Sequence, residues 1–170
     1  MTSLQRPVGL LGLLGLLGLL GLACASPVPP AEPLVVGARL EPVSLLDQNQ
    51  VLQRIDESVR VILFAREMQG GAVIRALLEE EAPGYLAQHR AVYIADISGM
   101  PTLIARLVAI PKMQRERPYP TLLDRDGVTT APFPSEEGRV TVLLLDKLRV
   151  QAIDYRGSLE GVREAVTQTR

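Results

Sequence analysis

The side chains able to do covalent or metal chemistry are few and scattered. Cys24 is the single cysteine of the 170 residues and His89 the single histidine. A thiolate serves as nucleophile, redox centre or metal ligand, so a chain processed downstream of Cys24 has none of these options. One histidine in a polar stretch makes no Ser-His-Asp set. Thioethers suit Cu(I), and Met68, Met100 and Met113 could gather with His89 as a soft copper site. Their spacing holds no Met-x-Met or His-x-Met, and gap-filling core methionine with a solvated loop histidine is the simpler account. Gly70-Gly71, with Arg66 close by, could present backbone N–H groups to an anion. A tight turn from strand to helix asks for the same glycines. Asp96 and Ser98 close a strand, where α/β sheets take polar ligands, but a helix cap also explains Ser98. Lys112, Arg115 and Arg117 are interrupted by Glu116 and read as a solvated loop, and Glu79-Glu80-Glu81 as a wet helix end. No Walker or G-x-G-x-x-G fingerprint occurs, so nucleotide cofactors have no support. A net charge of −1 gives no sign of a polyanion-binding surface, and no nucleic-acid partner is expected.

These residues must be positioned by elements built from Leu, Val, Ile and Ala, because aromatics make up 4% of the chain and Trp is absent. The first residues stand apart. Arg6 precedes an apolar run of Gly-Leu-Leu units reaching Leu22, and Ala23-Cys24-Ala25 follows as an A-x-A site. Charged, apolar and small-residue regions in that order describe a signal peptide over residues 1–25. Retention as an anchor is the rival, although glycine in every third position costs up to about 1 kcal/mol each in a helix. Lipidation of Cys24 is a third reading: Gly21-Leu22-Ala23-Cys24 resembles a bacterial lipoprotein box, with Gly21 where leucine is usual. A membrane association therefore depends on whether this segment is kept or lipidated. Residues 26–33 form a Pro/Ala-rich linker, and residues 34–170 remain for one domain.

Within that domain, Leu34 to Leu46 and the polar turn Asp47 to Gln50 predict a hairpin-like opening. Val59 to Ala65 is nearly all apolar and β-branched, as in a strand covered on both faces. A helix is expected after Gly70-Gly71, with Val73, Ile74, Leu77 and Leu78 inward, ending at Pro83-Gly84. Ala91 to Ala95 repeats the strand pattern. A second helix is expected from near Ser98, with Pro101 in its first turn, Leu103, Ile104, Leu107 and Val108 inward, and Pro111 at its end. Two strand–helix units in a row argue for parallel strands. Thr121 to Asp124 leads into the turn Arg125-Asp126-Gly127. Val140 to Leu145 and Val150 to Tyr155, joined by Asp146 to Arg149, predict an antiparallel hairpin. Ser158 then caps a last helix with Leu159, Val162 and Val166 inward.

This order resembles the thioredoxin-like superfamily over nearly all of residues 34–168, and within it the peroxiredoxin-like and exported thioredoxin branch. The motifs carrying the resemblance are Tyr119-Pro-Thr-Leu-Leu-Asp-Arg-Asp-Gly127, Arg139-Val-Thr-Val-Leu-Leu-Leu-Asp146 and the opening Val36 to Gln48. The resemblance implies a three-layer α/β/α fold with a mixed central sheet. It also puts the family's C-x-x-C motif on Met68-Gln69-Gly70-Gly71, its buried acid on Ile62 and its cis-proline near Thr141. Without those groups the family's thiol exchange and peroxide reduction are not available. The implied protein is an exported accessory or binding module of the cell envelope or periplasm. Its candidate face comprises Met68, Gln69, Gly70, Gly71 and Thr141, for an envelope protein or a small ligand, with no catalytic residue, metal or cofactor. The alternative is an enzyme or carrier holding an unrecognised cofactor or soft metal on the same scaffold.

Overall fold

A computed structural model describes residues 31–168 of the chain. The expected signal peptide over residues 1–25, Cys24 and most of the expected linker lie outside the described residues. The first described elements are β1 (Val43–Leu46) and β2 (Leu52–Ile55), an antiparallel pair around the turn at Asp47 to Val51. Asp47 fixes that turn by accepting from the N–H groups of Asn49 and Val51 at 2.8 and 3.0 Å.

The expected α/β fold with a mixed central sheet follows. Five strands lie in the order β5-β4-β3-β6-β7. They are β3 (Val61–Ala65), β4 (Ala91–Asp96), β5 (Leu122–Asp124), β6 (Val140–Asp146) and β7 (Arg149–Arg156). The first three are mutually parallel, and β6 and β7 run antiparallel. Every residue of β3 is buried, as its unbroken apolar sequence requires of a central strand. β6 and β7 join through Lys147 and Leu148, both with positive φ, the conformation a tight hairpin joint demands.

The helices are α1 (Met68–Glu80), α2 (Tyr85–Gln88), α3 (Thr102–Ile104), a π turn (Ala105–Ala109), α4 (Ile110–Glu116) and α5 (Leu159–Thr167). Their buried side chains join one core with Val61, Leu63 and Ala65, the side chains on one face of β3. Ile62 and Phe64 face the other way, into a core closed by Leu40, Leu45, Ile55 and Phe133. That third layer is thus the β1–β2 hairpin and the loop after β5. Helices had been expected on both faces. Right-handed crossovers explain the arrangement: β3 to β4 to β5 steps outward in one direction, so both connecting helices fall on the same side.

Four local expectations are corrected. Helix α1 starts at Met68 instead of after the glycines, so Gly70 and Gly71 lie in its first turn. The second helix starts at Thr102, with Pro101 at its N-cap position. Ser98 instead donates its N–H to Asp96 at 2.9 Å. Pro111 lies inside the helical run, which continues to Glu116. A proline ring cannot sit against the carbonyl four residues back and has no N–H to offer it. The turn before Pro111 accordingly widens to π geometry, and Ile110 N–H bonds to Ala105 O. The wider turn brings Ala105 and Ile110 to the core, with Met113 packed against it. Leu103, Ile104, Leu107 and Val108, expected inside, are exposed. The last helix matches expectation: Ser158 caps it by accepting from Gly161 N–H at 3.2 Å.

The hairpin is tied to the sheet by Gln48, which is fully buried. Its Oε1 accepts from Thr121 N–H at 2.7 Å and its Nε2 donates to Tyr119 O at 2.8 Å. Its own carbonyl accepts from Gln114 Nε2 at 2.8 Å. Gln48→Leu would strand the Thr121 donor and the Tyr119 acceptor out of water. Unfolding in urea should then show a loss of about 2–4 kcal/mol. A midpoint unchanged from the parent would contradict this role.

Candidate functional site

A cleft of about 600 Å³ opens at the carboxyl ends of β3 and β4. This is the edge at which open α/β sheets ordinarily take ligands. The start of α1 forms one wall and the 102–116 helical run the other. The lining is mainly apolar, and Met68, Met100 and Met113 all border it. These are all the methionines of the chain apart from Met1. His89 is not among the lining residues; its ring lies 4.5 Å from that of Tyr85. The thioethers of the imagined copper set thus share a cleft, while its imidazole stands elsewhere. Among the described residues no group of three or more His, Cys, Asp and Glu side chains could hold a metal.

The start of α1 is held by close backbone packing. A Cβ on Gly70 would lie 2.6 Å from the carbonyl oxygen of Arg139, so no side chain fits there. A Cβ on Gly71 would meet the Tyr93 hydroxyl at 3.2 Å. Glu67, preceding the helix, does not cap it and instead accepts from Gly138 N–H at 3.0 Å. The four residues expected at the site therefore separate by role. Met68 is 87% exposed at the rim, and Gly71 lines the cleft. Gln69 reaches toward Gly138, and Gly70 abuts β6. Thr141, the fifth, is buried and donates its hydroxyl to Pro134 O at 2.8 Å. It pairs with Phe64, whose side chain belongs to the opposite core. The strand entering β6 meets the helix start through Arg139 instead of Thr141. Ile62 is buried in that same opposite core.

The polar groups near the cleft are mostly committed to one another. Arg66 bonds Asp96 at 3.0 Å and the carbonyl of Thr130 at 2.9 Å, so it is not a free anion site. Arg75 pairs with Glu79 at 3.6 Å and Lys112 with Glu116 at 4.0 Å. Arg117 lies over the Tyr93 ring, 5.9 Å from its centre. Tyr93 and Arg75 were not singled out from sequence, and Arg117, read as part of a solvated loop, lies against a buried ring instead. The available signal was a tyrosine amid an aliphatic strand, whose hydroxyl must find a partner when buried. Chemically, the cleft offers soft apolar contact, one neutral phenol and a charged rim. The described residues contain no cysteine.

No protein-family model and no curated protein matches the chain. Solved structures do. A peroxidoxin from Mycobacterium tuberculosis superposes with a TM-score of 0.53 at 19% identity, covering 79% of this chain and 96% of its own. A peroxiredoxin-like protein from Aquifex aeolicus gives 0.55 at 11% identity, covering 83% and 91%. An uncharacterised conserved protein from Geobacillus kaustophilus gives 0.51 at 14%, covering 79% and 82%. The fold is thioredoxin-like, and it is the fold that these likenesses define.

Burial pushes the Tyr93 phenol upward, partly offset by Arg117 and Arg75. Burial also raises Tyr119 and Tyr85, the latter with help from Glu81. A raised phenol pKa favours the neutral form in the folded state. The stability it gives is full below the unfolded value of about 10 and is lost as pH climbs through the folded value. Tyrosinate absorbance should therefore appear for three of the four tyrosines only above the ordinary phenol range. Thermal stability should fall over the same alkaline interval. Four tyrosines titrating together at the ordinary value in folded protein would contradict the burial described here.

Proposed function

We propose that the chain is an exported, redox-inactive thioredoxin-like binding or accessory protein of the cell envelope, and that its ligand sits in the methionine-lined cleft. The observation carrying this reading is the replacement at the start of α1. Where the thioredoxin-like pattern has thiols, this chain has Met68 and Gly71 on the border of an apolar cleft. Unbranched, polarisable methionine side chains adapt to varied apolar partners. A largely apolar concavity with a few polar groups is the usual form of a ligand site. The A-x-A site after an apolar N-terminal run supports export, and the sequence beyond Ala25 has no thiol for exchange. A soft-metal carrier is the second reading, favoured by three thioethers bordering one cleft.

The methionine distribution supplies the test. Photo-methionine incorporated throughout the protein would mark Met68, Met100 and Met113, leaving only Met1 elsewhere. Irradiation in the native envelope should give one dominant adduct, strongly reduced by Ala72→Trp, which fills the cleft from an exposed helix position. Adducts indifferent to Ala72→Trp would refute the cleft as the binding site. Disulfide-reductase activity in the purified protein would refute redox inactivity. Stoichiometric Cu(I) binding lost in Met68→Leu would move the assignment to the carrier.

A further inference from the structure

The 102–116 helical run packs on the sheet through Ala105, Ile110 and Met113. Its outer side carries Leu103, Ile104, Leu107 and Val108, exposed by 67, 48, 61 and 56%. Positions i, i+1, i+4 and i+5 form one continuous stripe on a helix. Natural surfaces rarely show such a contiguous apolar patch without an occupant. The residues continuing the stripe are basic: Lys112 stands four positions after Val108 and Arg115 seven, and both are exposed. Arg106 is exposed beside the stripe as well. Residues 102–116 thus hold three bases against the single acid Glu116, in a chain whose total charge is −1. The positive charge is local to the apolar face.

An apolar stripe of Leu, Ile and Val with lysine and arginine alongside has the composition of a helix lying in a lipid interface. Protein interfaces instead deplete lysine. We infer that this face docks on an anionic lipid bilayer. Leu103, Ile104, Leu107 and Val108 enter the headgroup boundary. Lys112 and Arg115 extend to the phosphates with their methylene stems against the apolar layer. The π turn before Pro111 makes this arrangement possible, since it places Ala105 and Ile110 inward and leaves the larger stripe outside. Lys112 and Met113 also border the cleft, so docking would hold the cleft mouth close to the lipid surface. This inference stands on the helix alone and does not require the cleft to bind anything.

Hydrogen exchange of the natively processed protein, read in the peptide covering 102–116, tests it. The readout is local and does not register attachment through the N-terminal segment. Vesicles of phosphatidylglycerol and phosphatidylcholine should slow exchange there by about threefold or more, and high salt should reverse the effect. Leu107→Glu with Val108→Glu should abolish the protection. Unchanged exchange in β3 and β6 of that variant would establish that it remains folded. Exchange in 102–116 unaffected by anionic vesicles overturns the inference. So does equal protection by pure phosphatidylcholine, which removes the role of the bases. Protection that rises with protein concentration in the absence of vesicles would overturn it too, assigning the face to a second copy.

Discussion

The cleft and the sheet edge beneath it depend on Arg66. It leaves the end of β3 and bonds the Asp96 carboxylate at the end of β4, whose side chain is only 4% exposed. It also donates to the carbonyls of Thr130 and Phe133 and to the Ser135 hydroxyl, and lies over the Phe64 ring. Phe64 in turn meets Phe133 edge to face, with ring centres 5.3 Å apart. One guanidinium thus holds two parallel strand ends together and fastens the loop that closes the second core. Arg66 keeps a solvent-exposed side, with its side chain 35% exposed, so removing it would chiefly leave the buried Asp96 carboxylate and the Thr130 and Phe133 carbonyls without their donor. A ligand anion would have to break this network to use Arg66.

The two cores divide the labour. On the helical side, Gly70 and Gly71 let α1 approach the start of β6 and Tyr93, and Ala105 seats the 102–116 run on the core, with the cleft left between them. The methionines and Tyr93 border what remains. On the other side, Asp124 makes up for the absence of a helix. It is buried, and it accepts from Thr130 N–H and Oγ1 at 2.7 and 2.8 Å and from Gly127 N–H at 3.0 Å. That fixes the return loop carrying Phe133. The second layer is consequently irregular in backbone but well supplied with hydrogen bonds, as buried polar groups require.

Strands were legible in the sequence where both faces are covered, since Val61 to Ala65 and Ala91 to Ala95 have no polar position to confuse with a helix or loop. The β6–β7 hairpin and the Ser158 cap were also legible, because their signals are local. The parts that escaped depend on distant neighbours. Gly70 reads as a turn glycine until Arg139, 69 positions later, is found where a Cβ would be. The stripe at Leu103 to Val108 has correct helical spacing, but periodicity alone does not say which side of a helix meets the sheet. The π turn at Pro111 decided that question. Gln48 looked like an ordinary turn residue, and its partners at Tyr119 and Thr121 lie more than 70 positions away. Thr141 was expected beside the helix start, but that contact falls to Arg139, while Thr141 turns its hydroxyl to Pro134 O on the opposite face.

On the proposed reading, Met68 to Gly71 occupies the position of a dithiol site at a helix start, with the thiols replaced. The most direct measurement is a thiol count in Met68→Cys plus Gly71→Cys, made with Cys24→Ser and compared before and after mild oxidation. Residues three apart in the first turn of a helix have Cα atoms within the roughly 7 Å that a disulfide spans. Tyr93 must yield a few tenths of an ångström to admit the second side chain. Both thiols should disappear on oxidation and return with reductant, in protein that stays folded. Two thiols that persist after oxidation in folded protein would contradict it.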